Sequence, residues 1–133
     1  KPHPRSNTMG WLANHLSNIP GWAVVTLKED GLDFTPDMRE VELGSTAEIV
    51  ARFDENYAAA RAALAEATDS DMMKNWTLSS QGKQIFSMPR VACLRGMIMN
   101  HMIHHRAQLT VYLRMNDLPV PGLYGPSADE GSF

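Results

Sequence analysis

The sequence contains few of the features that mark specialised classes of protein. Its single cysteine, Cys93, excludes an internal disulfide framework and fits the reducing cytoplasm. No stretch approaches the roughly 18 consecutive apolar residues of a transmembrane helix, and no signal-peptide pattern opens the chain. Charge of neither sign dominates, because the formal net charge is only −3 and the basic residues are scattered. We therefore expect a cytoplasmic protein with neither a membrane nor a nucleic-acid partner.

The residues that are present predict one domain, over 1–133, built mainly from helices. Apolar residues recur at helical spacing in three stretches. The predicted elements of the first half are a helix from Met9 to a stop at Asp30-Gly31, a loop over 31–44, and a helix from Ser45 to about Thr68. Pro20 predicts a kink or a short break in the first helix, because proline lacks the backbone donor. Ser45 and Glu48 form a capping-box pattern at the start of the second.

The second half predicts a small β-hairpin followed by a long helix. Residues 76–79 and 84–87 read as its strands, with Gly82 at the turn. Pro89 suits the first position of the last helix, which ends near Asn116-Asp117. This helix is apolar nearly all round, which predicts that it is either central or shared with another subunit. The tail over 119–133 is rich in proline, glycine and serine, so we expect it to be irregular.

Two histidines of the last helix form the most informative pattern in the chain. His101 and His105 are four residues apart, so on a helix they lie on one face and both imidazoles can reach one metal ion. Met102 occupies the position where the His-Glu-x-x-His motif requires its glutamate, and the chain has no Glu-x-x-His for a di-iron site. The alternative is a pair of core histidines that are hydrogen-bonded without a metal.

A third ligand has to come from elsewhere, because catalytic zinc-like sites usually have three protein ligands. His15 lies on or beside the apolar face of the first predicted helix, whereas His3 lies in a proline-rich terminus. Tertiary folding of a helical bundle can bring His15 to the pair. The alternative interpretation of His15 is again a core histidine.

Several of these segments resemble the DinB-like proteins. The resemblance is carried by residues 9–16 (MGWLANHL), 100–109 (NHMIHHRAQL), 112–114 (YLR) and 121–126 (PGLYGP), and it spans essentially the whole chain. The group includes metal-dependent thiol transferases that act with bacillithiol or mycothiol. The resemblance implies an all-α, up-down four-helix bundle that binds one divalent metal through His15, His101 and His105. In that family the earlier histidine lies on the second helix, which predicts that an N-terminal helix is missing from this chain.

The resemblance also frames the expected function. Three imidazoles suit zinc or nickel, with iron as a further option. We expect a metal-dependent transferase that moves a small-molecule thiol onto an electrophile in detoxification; the alternatives are a metal-dependent hydrolase and a non-enzymatic metal-binding stress or structural protein. Arg106, Gln108 and Asn100 are candidates for binding substrate or orienting the ligands. Family members are often homodimers. The mycothiol branch uses a carboxylate as one ligand, whereas this chain offers histidine at all three positions.

Overall fold

The computed structural model describes residues 1–131, so the last two residues of the predicted irregular tail lie outside it. Helix α1 (Met9–Lys28) begins at Thr8, whose hydroxyl accepts a hydrogen bond from the Trp11 N–H at 3.0 Å. The helix runs through Pro20, so the predicted break does not occur. One turn before Pro20, the Ser17 carbonyl of α1 accepts a hydrogen bond from the Asn56 side chain of the following helix at 2.9 Å.

Helix α2 (Thr46–Glu66) begins with the predicted capping box, which is confirmed. The Glu48 N–H donates to the Ser45 hydroxyl at 3.3 Å, and the Ser45 N–H donates to the Glu48 carboxylate at 3.1 Å. The helix ends two residues before the predicted Thr68, which instead caps the short helix α3 (Asp69–Met72). Helix α2 packs mainly against α1.

Three strands form a mixed sheet with the order β1-β2-β3: β1 (Gly31–Phe34), β2 (Asn75–Ser80) and β3 (Lys83–Pro89). The β2–β3 pair is the predicted hairpin, which is confirmed. Its turn has φ values of 51° at Gln81 and 76° at Gly82, as a type I′ turn requires. Strand β1 pairs in parallel with β2, although its residues fall within the predicted loop. Gly31 permits this pairing, because a Cβ there would lie 2.5 Å from the Thr77 carbonyl oxygen.

The last helical stretch combines three geometries. It comprises α4 (Arg90–Cys93), a π-helical segment (Leu94–Asn100) and α5 (His101–Arg114). The prediction of one regular helix from Pro89 therefore needs correction, since Pro89 ends β3 and the middle of the stretch is wider than an α-helix. Such π-helical insertions are rare in proteins, and many of those known lie beside functional sites.

The core lies between α1, α2 and the π-helical segment. Its buried members are Ile19, Ala23, Leu27, Ala60, Ala63, Leu94 and Ile98. Small alanines on α2 allow close approach to α1. The predicted last helix thus reaches the core through Leu94 and Ile98 of its π-helical segment, whereas α5 has no fully buried residue within 1–131. Its sharing with a second subunit stays a prediction.

The all-α, up-down four-helix bundle is also a wrong prediction, because residues 1–131 contain a three-stranded sheet beside their helices. The parallel partner of β1 lies more than 40 residues along the chain, and local patterns carry no signal of such a pairing. Among the described residues, no helix is both long and apolar enough to cross a membrane.

Candidate metal centre

Three histidines from two helices meet at one point. His15 lies on α1, and His101 and His105 lie on α5; one potential ligand atom from each lies within 4.8 Å of the others. The Nε2 atom of His101 is 3.3 Å from that of His15 and 2.7 Å from that of His105. The four-residue spacing on α5 therefore brings the pair together, and the docking of α1 brings the third imidazole.

The opposite nitrogen of each ring faces an oxygen. His15 Nδ1 is 3.0 Å from a Glu40 carboxylate oxygen, and His105 Nδ1 is 2.7 Å from the Gln108 side-chain oxygen. His101 Nδ1 is 3.3 Å from the Met97 carbonyl oxygen. Because these oxygens accept hydrogen bonds, each neutral ring carries its proton on Nδ1. Three unprotonated Nε2 lone pairs then point at one another.

Such an arrangement fits a cation. In this tautomeric state the close Nε2 atoms have no proton to share, so they repel one another unless a positive charge lies between them. Burial lowers the pKa of His101 and of His105 below the ordinary imidazole value, because desolvation disfavours the charged ring and the neighbouring histidines add to the effect. Neutral imidazoles that each donate Nδ1–H to an oxygen are the usual state of metal-ligating histidines.

Two tryptophans pack against the imidazoles. Trp11 stacks on His15 with ring centroids 4.8 Å apart and planes inclined by 18°. The Trp22 ring lies 5.4 Å from that of His15 and 5.3 Å from that of His101. These rings restrict the orientation of the imidazoles and shield them from water on the α1 side.

A sequence model of the DinB family matches residues 2–132. The chain belongs to the DinB family. It is also 29% identical over 127 residues to an uncharacterised protein, YrdA, of Bacillus subtilis (strain 168), an alignment that covers 92% of this chain and 70% of YrdA. The family resemblance found in the histidine segments is thus confirmed.

Glu40 is the member of this DinB site that the sequence analysis missed. It belongs to the irregular segment between β1 and α2, where no periodic pattern relates it to a histidine 25 residues earlier. Neighbouring contacts hold the segment in place. The buried Asn14 side chain donates to the Leu43 carbonyl at 3.1 Å and accepts from the Leu43 N–H at 2.7 Å. Arg52 donates to the Val41 carbonyl at 2.7 Å.

Of the residues predicted to bind substrate or orient the ligands in this DinB protein, one contacts a histidine of the group and two do not. Gln108 contacts His105, as described above. Arg106 points to the tail, where its guanidinium donates to the Tyr124 hydroxyl at 3.0 Å and lies 5.3 Å from the ring centroid. Asn100 is exposed at the end of the π-helical segment and does not cap α5. The exposed His104 lies outside the three-histidine group.

Two acidic residues of the tail, Asp129 and Glu130, make their contacts away from the three histidines. The Asp129 carboxylate pairs with the Arg114 guanidinium at 2.6 and 3.0 Å, and Glu130 accepts from the Gly122 N–H at 2.7 Å. Within residues 1–131 the group therefore offers three imidazoles and no acidic or thiol fourth ligand.

Proposed function

We propose that this DinB protein binds one divalent metal ion through the Nε2 atoms of His15, His101 and His105. The observation that carries the proposal is the convergence of three Nε2 atoms whose partner nitrogens all face hydrogen-bond acceptors. Glu40 and Gln108 would hold the rings in the ligating tautomer, as carboxylate and amide partners do for metal-bound imidazoles. Zinc and nickel are the ions we propose first, since both accept imidazole readily, and iron is a further candidate.

We further propose that the site supports the transfer of a low-molecular-weight thiol onto an electrophile. A divalent ion held by His15, His101 and His105 would lower the pKa of a thiol, so that its nucleophilic, deprotonated form would be available near neutral pH. The thiol sulfur forms a bond to the electrophilic carbon, the leaving group departs with the electron pair of the broken bond, and the thiol proton passes to solvent. The support for an enzyme is the three-ligand set, because structural zinc sites generally have four protein ligands.

Other residues of this chain would orient the three histidines and exclude water from them. Trp11 and Trp22 pack against the histidines, and Glu40 contacts His15 from the loop between β1 and α2. The proposed setting is the cytoplasm, where low-molecular-weight thiols are reduced.

Metal content of untagged protein tests the first part of the proposal. His104 provides a matched control, since it neighbours His105 on α5 but lies outside the group. We expect the wild type and His104→Ala to retain about one zinc or nickel ion per chain by mass spectrometry, and His105→Ala to lose it. Equal metal content in the two variants would refute the site.

Thiol transfer tests the second part. The metal-loaded and metal-free proteins are incubated with bacillithiol or cysteine and 1-chloro-2,4-dinitrobenzene, and thioether formation is followed by absorbance. We expect turnover by metal-loaded wild type and His104→Ala, and loss of turnover in His105→Ala. Stoichiometric metal without turnover for any thiol would favour the non-enzymatic alternative over the transferase.

A further inference from the structure

A cavity of ≈ 470 Å³ lies between α1, the sheet and the π-helical segment. Leu32 of β1 and Leu78 of β2 line it as a registered pair, because paired residues of neighbouring strands share a face of the sheet. An apolar cavity of about 150 Å³ is large enough to bind benzene. This cavity therefore has room for a small molecule larger than one ring.

The cavity extends from the core to the surface. Thr26 and Ile98, which line it, are buried. Three apolar residues of its lining are instead open to solvent, since Phe34, Met38 and Ile85 are 44%, 46% and 59% exposed. A ligand can therefore enter past these side chains without any opening of the fold.

The wall offers apolar surface rather than polar partners. Most of its residues are aliphatic or aromatic. The hydroxyl of Thr26 already donates to the Trp22 carbonyl at 2.9 Å, and the Glu40 carboxylate already accepts from His15 Nδ1–H at 3.0 Å. Removal of apolar surface from water is therefore the interaction that this cavity provides, and it requires no particular polar group on the ligand.

The same wall disfavours a charged ligand. Either sign of charge would lose hydration among apolar side chains that cannot replace it. Glu40 is the charged residue of the lining within residues 1–131, so an anion would also face a carboxylate. The lining is thus suited to an uncharged molecule.

The cavity adjoins the three histidines through residues that contact both. The Trp22 ring lines the cavity side of α1 and packs against His15 and His101. Met97 lines the cavity, and its carbonyl oxygen faces His101 Nδ1 at 3.3 Å. A molecule in the cavity therefore lies one residue away from the candidate metal centre.

We propose that the cavity binds an uncharged, apolar small molecule through burial of its surface. In the thiol transfer this molecule would be the electrophile, an assignment that rests on the proposed function. Apolar size would then determine which electrophiles are accepted. The binding site itself does not require the reaction.

The first experiment measures how affinity depends on apolar size and on charge. The uncharged dye N-phenyl-1-naphthylamine is bound to the full chain and followed by fluorescence, and other molecules are scored by its displacement. From benzene to toluene to ethylbenzene we expect the affinity to rise about fourfold per added carbon. We expect benzoate and benzylammonium to bind about tenfold more weakly than toluene. Equal affinity along the uncharged series, or a charged probe as tight as toluene, would overturn the proposal.

Two variants with matched controls localise the binding. Val25 lines the cavity, so Val25→Phe should fill part of it and weaken dye binding about fivefold or more, whereas Val50→Phe on the exposed part of α2 should not. Ile85→Asp places a charge at the exposed rim, where the fold tolerates it, and should weaken the dye about threefold or more; Val50→Asp is its control. Dye binding that is unchanged in both lining variants, or weakened equally in the controls, would refute the location.

The outcome is separable from that of the thiol-transfer experiment. Dye binding is measured without thiol, in metal-free and metal-loaded protein alike. Dye bound in the cavity without any turnover would refute the transferase and leave the binding site intact. If turnover occurs, Val25→Phe should raise KM for 1-chloro-2,4-dinitrobenzene at unchanged metal content, and an unchanged KM would refute the cavity as the electrophile site.

Discussion

Each imidazole of the candidate centre is oriented by a different kind of oxygen. Glu40 supplies a carboxylate to His15, Gln108 a side-chain amide to His105, and Met97 a backbone carbonyl to His101. The first is a carboxylate, which is a stronger hydrogen-bond acceptor than a neutral amide or carbonyl oxygen. Of the two side chains that orient a ligand, we therefore expect Glu40 to affect the site more than Gln108.

Replacing Glu40 by glutamine should lower metal affinity about 10- to 100-fold, because the carboxylate that fixes the His15 tautomer is lost. The affinity is measured by competition with a chromogenic chelator. Glu42→Gln serves as the control, since Glu42 is an exposed carboxylate of the same loop. Equal affinities of the two variants would contradict the role of Glu40.

The metal-free protein should lose stability as the pH falls through about 6.5. Burial holds the pKa of His101 and His105 below that of the unfolded chain, so the unfolded state takes up protons first and its free energy falls relative to the folded state. The stabilisation is present above pH 6.5 and declines below it. Thermal unfolding at pH 7.5 and 5.5 should show a smaller difference in Tm for His101→Gln than for wild type or His104→Gln. An equal pH dependence in all three proteins would contradict this prediction.

Local spacing predicted part of the centre. His101, His105 and Gln108 lie on one helix, so their proximity follows from helical geometry. The approach of His15 was a hypothesis from its apolar face, and its position depends on the docking of α1 against α5. The Glu40 contact follows from no local rule, because the loop is positioned by tertiary hydrogen bonds from Asn14 and Arg52.

At the level of elements, the predictions that depend on neighbouring residues are confirmed, and those that depend on distant residues are wrong. The capping box of α2 and the β2–β3 hairpin depend on neighbours within a few residues, and both are confirmed. Strand β1 depends on a parallel partner far along the chain, and its four residues are too short for a clear alternation. The π-helical segment differs from an α-helix only in its hydrogen-bond pattern, so apolar spacing does not reveal it.

The β1–β2 pairing should depend on Gly31. In Gly31→Ala the new Cβ would overlap the Thr77 carbonyl oxygen, so the strands must separate, with an expected loss of about 1–3 kcal/mol in the free energy of unfolding. Gly44→Ala is the control, because a Cβ at Gly44 meets no atom within 4 Å. Urea denaturation measures both. A Gly31→Ala protein as stable as the control would argue against the close pairing.

At the level of the whole molecule, α5 leaves large apolar side chains uncovered. Met99 just before the helix and Ile103 and Val111 within it are 52%, 37% and 56% exposed. We expect this surface to be shared with a second copy of the chain, which would make the protein a homodimer. Val111→Glu should shift the mass measured by light scattering from dimer to monomer, whereas Val50→Glu on α2 should not. A monomeric wild type at micromolar concentration would contradict the expectation.

The separation of the histidines along the chain has a consequence for how the protein is held together. His15 and His101 are 86 residues apart, so one ion bound to both would act as a cross-link that closes most of the chain into a ring. If stabilisation is ascribed to chain entropy, closing a loop of this length raises the free energy of the unfolded state by about 4–5 kcal/mol, because it restricts the conformations of the unfolded chain. A chain with one cysteine has no disulfide with which to do this. A bound metal ion would instead provide a reversible cross-link between α1 and α5, which a chelator would remove.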